Sequence, residues 1–205
     1  MTFISPTFPL IGTRDYIHSS TMLTFLEQFQ SVSDAPVLID LKIRRKLFPG
    51  GQVLIDGALN PDAAAFARVG KRTISFLNPK KPISTLHQPD VFKKWSVDTL
   101  HERDGLTKVM PPIVRDELVS GCNGWSFLVS AAKVHLSRLN LSSPDAKGTS
   151  NFVLARITSR KPCTQRPLIV VTKVALSNGW FRLGVFDTDL LVGHVLCKLE
   201  TMGTS

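Results

Sequence analysis

The sequence is poor in the features that name a protein class on sight. No apolar run approaches the roughly eighteen residues that a membrane span needs, so no membrane-spanning segment is expected. The opening stretch, MTFISPTFPLIGTRDY, has neither a basic leader nor a secretory cleavage site. Cysteine is scarce: Cys122, Cys163 and Cys197 are odd in number, widely spaced and without a CxxC pair. That pattern fits reduced thiols in a cytoplasmic protein better than a disulfide framework or a zinc site. There is no Walker loop, no GxGxxG after a strand, no HExxH and no GxSxG. His87, His101, His135 and His194 are scattered, so neither a metal nor any other cofactor is expected. Low-complexity tracts are also missing, and 43% apolar residues in 205 are ample for a buried core.

Acidic residues are the minority charge. Twenty-five Lys and Arg stand against sixteen Asp and Glu, a formal net charge of +9. Such a surface attracts anions: nucleic acid, a phosphorylated cofactor such as coenzyme A, or the acidic face of a carrier protein. A solvated positive surface without a partner gives the same composition. The aromatics are mostly Phe at core spacing, without the basic-aromatic interleaving of an RNA-binding sheet.

What the sequence does contain is an internal repeat. Pro9-Leu10-Ile11-Gly12-Thr13-Arg14-Asp15 is answered by Pro112-Ile113-Val114-Arg115-Asp116. Each Arg-Asp pair opens a stretch that reaches Thr24-Phe25-Leu26 or Ser126-Phe127-Leu128 at offsets differing by one residue. A strand-like run ending in a basic pair follows: LIDLKIRRKL with Arg45-Lys46, FVLARITSRKP with Arg160-Lys161. Seven residues beyond each pair an apolar run starts, at Val53 and at Leu168. Phe66-Ala67-Arg68-Val69-Gly70 then matches Trp180-Phe181-Arg182-Leu183-Gly184. Four anchors in one order define two copies of a β-α-β-β unit of roughly 90 residues. Residues 1–79 form the first copy, 80–108 a linker with a short helix around Val91–Leu100, and 109–205 the second, the two packed as one globular body.

Apolar periodicity places helices over Ile17–Phe29, with Ser19, Ser20 or Thr21 as N-cap, and over Trp125–Leu139. Strands are expected at Val37–Lys46, Gln52–Ile55, Ala67–Leu77 after a helical turn at Pro61, Phe152–Ser159, Pro167–Leu176, Trp180–Phe186 and Leu190–Leu199. Asn178-Gly179 signals a hairpin.

A strand, one long helix and a run of antiparallel strands, made twice, resembles the hotdog-fold superfamily in its double-hotdog arrangement. The resemblance lies in element order and covers most of the chain. It implies an α+β fold, an antiparallel sheet wrapped around two helices. It also implies action on an acyl thioester of coenzyme A or acyl carrier protein, with dehydratase (lyase) or thioesterase (hydrolase) chemistry and the acyl chain between the repeats. Phe48-Pro49-Gly50 looks like the Phe-Pro-Gly lead-in to the central helix of hotdog dehydratases. Asp56 or Asp62 would then be the catalytic carboxylate, although that alignment breaks the repeat register.

The densest set of reactive side chains is Arg14-Asp15-Tyr16-Ile17-His18-Ser19-Ser20-Thr21, just before a helix whose free N–H groups suit an oxyanion or anionic ligand. His18 fits a general acid or base, with Asp15 or Tyr16 as its partner and Arg14, Ser19 and Ser20 as substrate contacts. Equally, a serine there caps the helix and Arg14-Asp15 is an internal ion pair. In the second copy, Cys122 fits a nucleophile and Asn123 an oxyanion donor, or both belong to a Gly-rich turn. Arg45, Lys46, Arg160 and Lys161 suit phosphate groups of coenzyme A or a phosphopantetheine arm, or are solvated strand ends. A non-catalytic basic nucleic-acid-binding module is the alternative function. Monomer and homodimer are both compatible with the repeat.

Overall fold

The computed structural model describes residues 1–30, 38–58, 60–88, 99–100, 106–111, 113–114, 117–118, 123–141 and 150–201. Alternation of apolar and polar residues makes most of the chain strand, and the two periodic stretches make its helices. The chain divides into two compact units, Met1–Asp90 with Arg156–Arg160, and Val91–Ala155 with Lys161–Ser205.

The first unit runs β1 (Thr2–Ile4), β2 (Leu10–Ile11), α1 (Ser19–Leu26) with a 3-10 turn at Glu27–Phe29, β3 (Ile39–Ile43), β4 (Gln52–Ile55), β5 (Ala65–Val69), β6 (Arg72–Leu77) and β7 (His87–Gln88). Its antiparallel sheet has the order β1-β4-β6-β5-β3, and Arg156–Ser159 pair with β3. One face of this sheet carries Ile39, Leu41, Ala65, Ala67, Ile74 and Phe76, all buried with Leu23 and Leu26 of α1. The pair β2–β7 is parallel and lies outside the main sheet.

In the second unit, β8 (Thr99–Leu100), β9 (Leu106–Val109), β10 (Ile113–Val114) and β11 (Glu117–Leu118) precede α2 (Gly124–Leu141). Then come β12 (Ser150–Ser159), β13 (Leu168–Ala175), β14 (Trp180–Asp187) and β15 (Leu190–Thr201). The sheet order is β8-β9-β13-β14-β15-β12. Trp125, Phe127, Leu128, Ala131, Ala132 and Leu136 of α2 are buried, as are Val109, Leu168, Val170, Leu183, Val185, Val195 and Cys197 of the strands. At roughly 1.5–3 kcal/mol for each large apolar side chain, this burial is the main stabilising term of both units.

Several expectations change. The repeat anchors at Leu10 and Ile113 become the short strands β2 and β10, and the sheets begin upstream at β1 and β8, so 99–100 and 106–109 are sheet strands rather than linker. The helix expected around Val91–Leu100 lies mostly outside the described residues, and Thr99–Leu100 is strand. Ala67–Leu77 is a hairpin of two strands, because Gly70 at φ 58° turns the chain back. Phe48-Pro49-Gly50 leads into strand β4 rather than into a helix. Gly51 is fixed there by packing: a Cβ would run into the Leu77 carbonyl. Asp56 forms an exposed ion pair with Arg72 at 2.9 Å. The Asn178-Gly179 turn is as expected, with φ of 61° and 74°.

The units differ in one connection. β13, β14 and β15 follow one another as neighbours, whereas the chain from β4 crosses to β5 beside β3, and β6 returns into the gap. The match between 66–70 and 180–184 therefore joins strands in different places in their sheets. The crossover is held in place by the Arg44 and Arg45 N–H groups, which donate to the Ala64 carbonyl at 2.9 and 3.1 Å. Their guanidinium groups donate to the carbonyls of Pro61 and Asp62.

His135 is the polar centre of the second unit. It is 1% exposed, with Nδ1 2.7 Å from the Thr107 hydroxyl on β9 and Nε2 2.8 Å from the Thr172 hydroxyl on β13. Burial lowers its pKa to about 4. The folded state thus refuses a proton that the unfolded chain accepts near 6.5, and stability is full above pH 6.5 and falls as the pH drops toward 4. The loss should reach about 3 kcal/mol in urea melts between pH 7.5 and 4. A His135→Gln variant should lose that part of the pH dependence; an unchanged dependence would contradict the assignment.

Candidate functional site

α1 begins at a crossing of two segments. The Ile17 N–H donates to the Leu47 carbonyl at 2.7 Å, so the chain leaving β3 lies against the helix start. This brings Lys46 to Asp15 (3.8 Å, side chains 60% and 73% exposed) and places its ammonium 4.9 Å from the centre of the Tyr16 ring. Three of the expected site residues, Asp15, Tyr16 and Lys46, therefore meet. An ion pair this exposed contributes little to stability.

His18, rather than a serine, is the N-cap. Its backbone is extended (φ −73°, ψ 149°) and Nδ1 accepts the Ser20 N–H at 3.3 Å, with the Ser20 hydroxyl 2.8 Å away. A backbone N–H can only donate, so Nδ1 holds a lone pair. In the neutral ring the proton then sits on Nε2. The imidazole is half-buried. Ser19 and Ser20 are buried in the first turn, and Ser20 also accepts the Thr24 hydroxyl on its carbonyl. Arg14 turns back on its own loop and donates to the Ile11 carbonyl at 3.1 Å.

At the far end of α1 is an aromatic cluster absent from the sequence-based expectations. Phe25 lies 5.2 Å from Phe8, 5.4 Å from Phe29 and 6.0 Å from Phe76. Phe8 and Phe76 are buried, while Phe25 and Phe29 are half-buried and give this side of α1 an apolar flank. The i, i+4 spacing of Phe25 and Phe29 is the signal that points to it.

The second unit repeats the crossing. Lys161 and Pro162, which leave β12, lie over the start of α2. A Cβ on Gly124 would be 2.5 Å from the Pro162 carbonyl oxygen and 2.9 Å from the Lys161 side chain. Asn123 caps α2: its Oδ1 accepts the Ser126 N–H at 2.9 Å, and its own N–H donates to the Ser126 hydroxyl at 2.8 Å. Cys122 and the Arg115-Asp116 pair lie outside the described residues. Cys163 is exposed, and Cys197 is buried with its thiol pushed up to about 12. Arg160 is exposed. Arg45 braces the crossover and Lys46 faces Asp15 and Tyr16. Among the described residues, no group of three His, Cys, Asp or Glu could hold a metal ion, and no helix is long and apolar enough to cross a membrane.

No protein-family model matches the sequence, and no curated protein matches it. Solved structures do. The dehydratase domain of PpsC from Mycobacterium tuberculosis, in complex with C12:1-CoA, has a TM-score of 0.51 at 12% identity, over 98% of this chain and 93% of that one. A TesB protein of Mycobacterium avium subspecies paratuberculosis gives 0.50 at 12%, over 96% and 91%. The dehydratase domain from the CurK module of curacin polyketide synthase gives 0.50 at 11%, over 90% and 82%. These are double-hotdog proteins, and the chain described here has the α+β double-hotdog fold.

Two stability predictions follow from the helix starts. His18→Ala should cost about 1 kcal/mol by removing the cap, whereas His18→Asn, itself a good cap, should stay within a few tenths. Gly124→Ala, which would stabilise an ordinary helix, should instead destabilise by about 2 kcal/mol through the clash with Pro162. Denaturant midpoints check both, and a more stable Gly124→Ala protein would refute the close approach.

Proposed function

We propose that the chain binds an acyl thioester, of coenzyme A or acyl carrier protein, and acts on it through the start of α1 in the first unit. The observation that carries this reading is the start of α1, where His18 caps the helix through Nδ1 and Asp15, Tyr16 and Lys46 meet. An imidazole N–H beside first-turn amides stabilises negative charge on a thioester carbonyl oxygen. The same stabilisation serves the enolate formed in dehydration and the tetrahedral oxyanion formed in hydrolysis. Asp15, held by Lys46, and Tyr16 supply the proton-carrying groups, and the Phe25–Phe29 flank takes the acyl chain. Support for the substrate class comes from the double-hotdog fold shared with a dehydratase solved with an acyl-CoA.

The test uses His18→Asn, which keeps the helix cap. Wild type should bind dodecenoyl-CoA saturably by calorimetry, and should either hydrate it or release free coenzyme A thiol. His18→Asn should lower kcat by roughly a hundredfold or more with an unchanged melting temperature. Failure of wild type to bind or turn over the thioester would overturn the reading, and full activity in His18→Asn would remove His18 from it.

A further inference from the structure

The outward face of the first unit's sheet is unusually cationic. Arg156 stands directly opposite Lys42, and Lys42 directly opposite Phe66. The Lys42 ammonium lies 5.2 Å from the Phe66 ring centre, and the Arg44 guanidinium 5.0 Å from the same ring. One pair further along, Arg68 faces Asp40 and is exposed. Two cations thus flank one phenyl ring, and Arg68 and Arg156 share its face of the sheet. The carboxylate on this face, Asp40, is already engaged: Arg156 donates to both its oxygens at 2.7 Å, and Thr158 donates at 3.0 Å. Burial pushes Asp40 up, but those hydrogen bonds and the charges of Arg156 and Lys42 outweigh it and hold the group below its usual range. Asp62 lies at the margin, in the turn whose carbonyls take Arg44 and Arg45.

Like charges opposite each other in a sheet oppose folding, and Asp40 offsets only part of this repulsion. We propose that this face is a docking surface for an acidic helix of a protein partner. Three features select that occupant. The strand N–H groups here are consumed by the sheet, so no backbone cradle for a single phosphate exists. The Phe66 ring already carries two cations, which leaves no stacking platform for a nucleobase. Neighbouring strands are about 4.8 Å apart and alternate residues roughly 6.6 Å apart. That grid suits carboxylates at i, i+3 and i, i+4 of a helix, about 5–6 Å apart. The surface does not rest on the acyl-thioester reading, since it lies on the side of the sheet opposite the α1 packing face.

The experiment follows anisotropy of a fluorescein-labelled, Glu/Ala-rich helical peptide titrated with the full chain. A labelled single-stranded oligonucleotide of equal charge runs in parallel. The peptide should bind, more weakly as salt is raised. Lys42→Glu with Arg68→Glu should reduce affinity by about tenfold or more. Lys71→Glu with Lys80→Glu, the same charge change at exposed positions elsewhere on the unit, should leave it within about twofold. Far-ultraviolet melts confirm folding, and Lys42→Gln with Arg68→Gln replaces the first pair if it unfolds. Absence of peptide binding, or equal loss in both double variants, overturns the proposal. Tighter oligonucleotide binding that depends on Lys42 and Arg68 overturns it in favour of nucleic acid.

Discussion

In both units the chain that leaves the strand after the helix has to pass over the start of that same helix. In the first unit the passage is a hydrogen bond, Ile17 N–H to Leu47 carbonyl. In the second it is a steric limit, with the Pro162 carbonyl so near Gly124 that no side chain fits. This constraint gives the duplicated basic residues their place. Lys46 and Lys161 sit beside helix starts because the residues that follow them make the crossing. Positive charge at a helix N-terminus is unfavourable to the helix dipole, so in the first unit it is tempered by Asp15 and the Tyr16 ring.

The same crossing frames His18. With Ile17 tied to Leu47, the next residue must turn the chain into the helix, and its side chain falls where an N-cap acceptor is needed. An imidazole meets that need with Nδ1. Asn123 fills the corresponding position in the second unit and closes a reciprocal pair with Ser126. The two units therefore share a scaffold and differ at the residue that caps the helix. That asymmetry is why the functional reading is centred on the first unit.

Much of this was legible in the sequence. Helical and alternating periodicities located both helices and most strands, because each element buries one face. The order of elements, made twice, resembled the double-hotdog arrangement, and the anchors at the basic pairs and at Val53 and Leu168 mark equivalent elements. The order of β5 and β6 was not legible. Phe66–Gly70 and Trp180–Gly184 share a local pattern, but position in the sheet is decided by a crossover held by carbonyl groups that sequence patterns do not show. His18 as a cap was missed because histidine is outside the usual capping residues. The His135 network was hidden for another reason: its threonines are 28 and 37 residues away and meet it only in the folded unit.

The central claim is that α1 takes one nitrogen of His18 and so fixes which nitrogen carries the proton. Long-range proton–nitrogen correlation spectra of histidine-labelled protein read this directly. At a pH where the ring is neutral, His18 should show an unprotonated Nδ1 and a protonated Nε2, and the pattern should relax toward the free-histidine mixture in Ser20→Pro. A protonated Nδ1 in the wild-type protein would contradict the account.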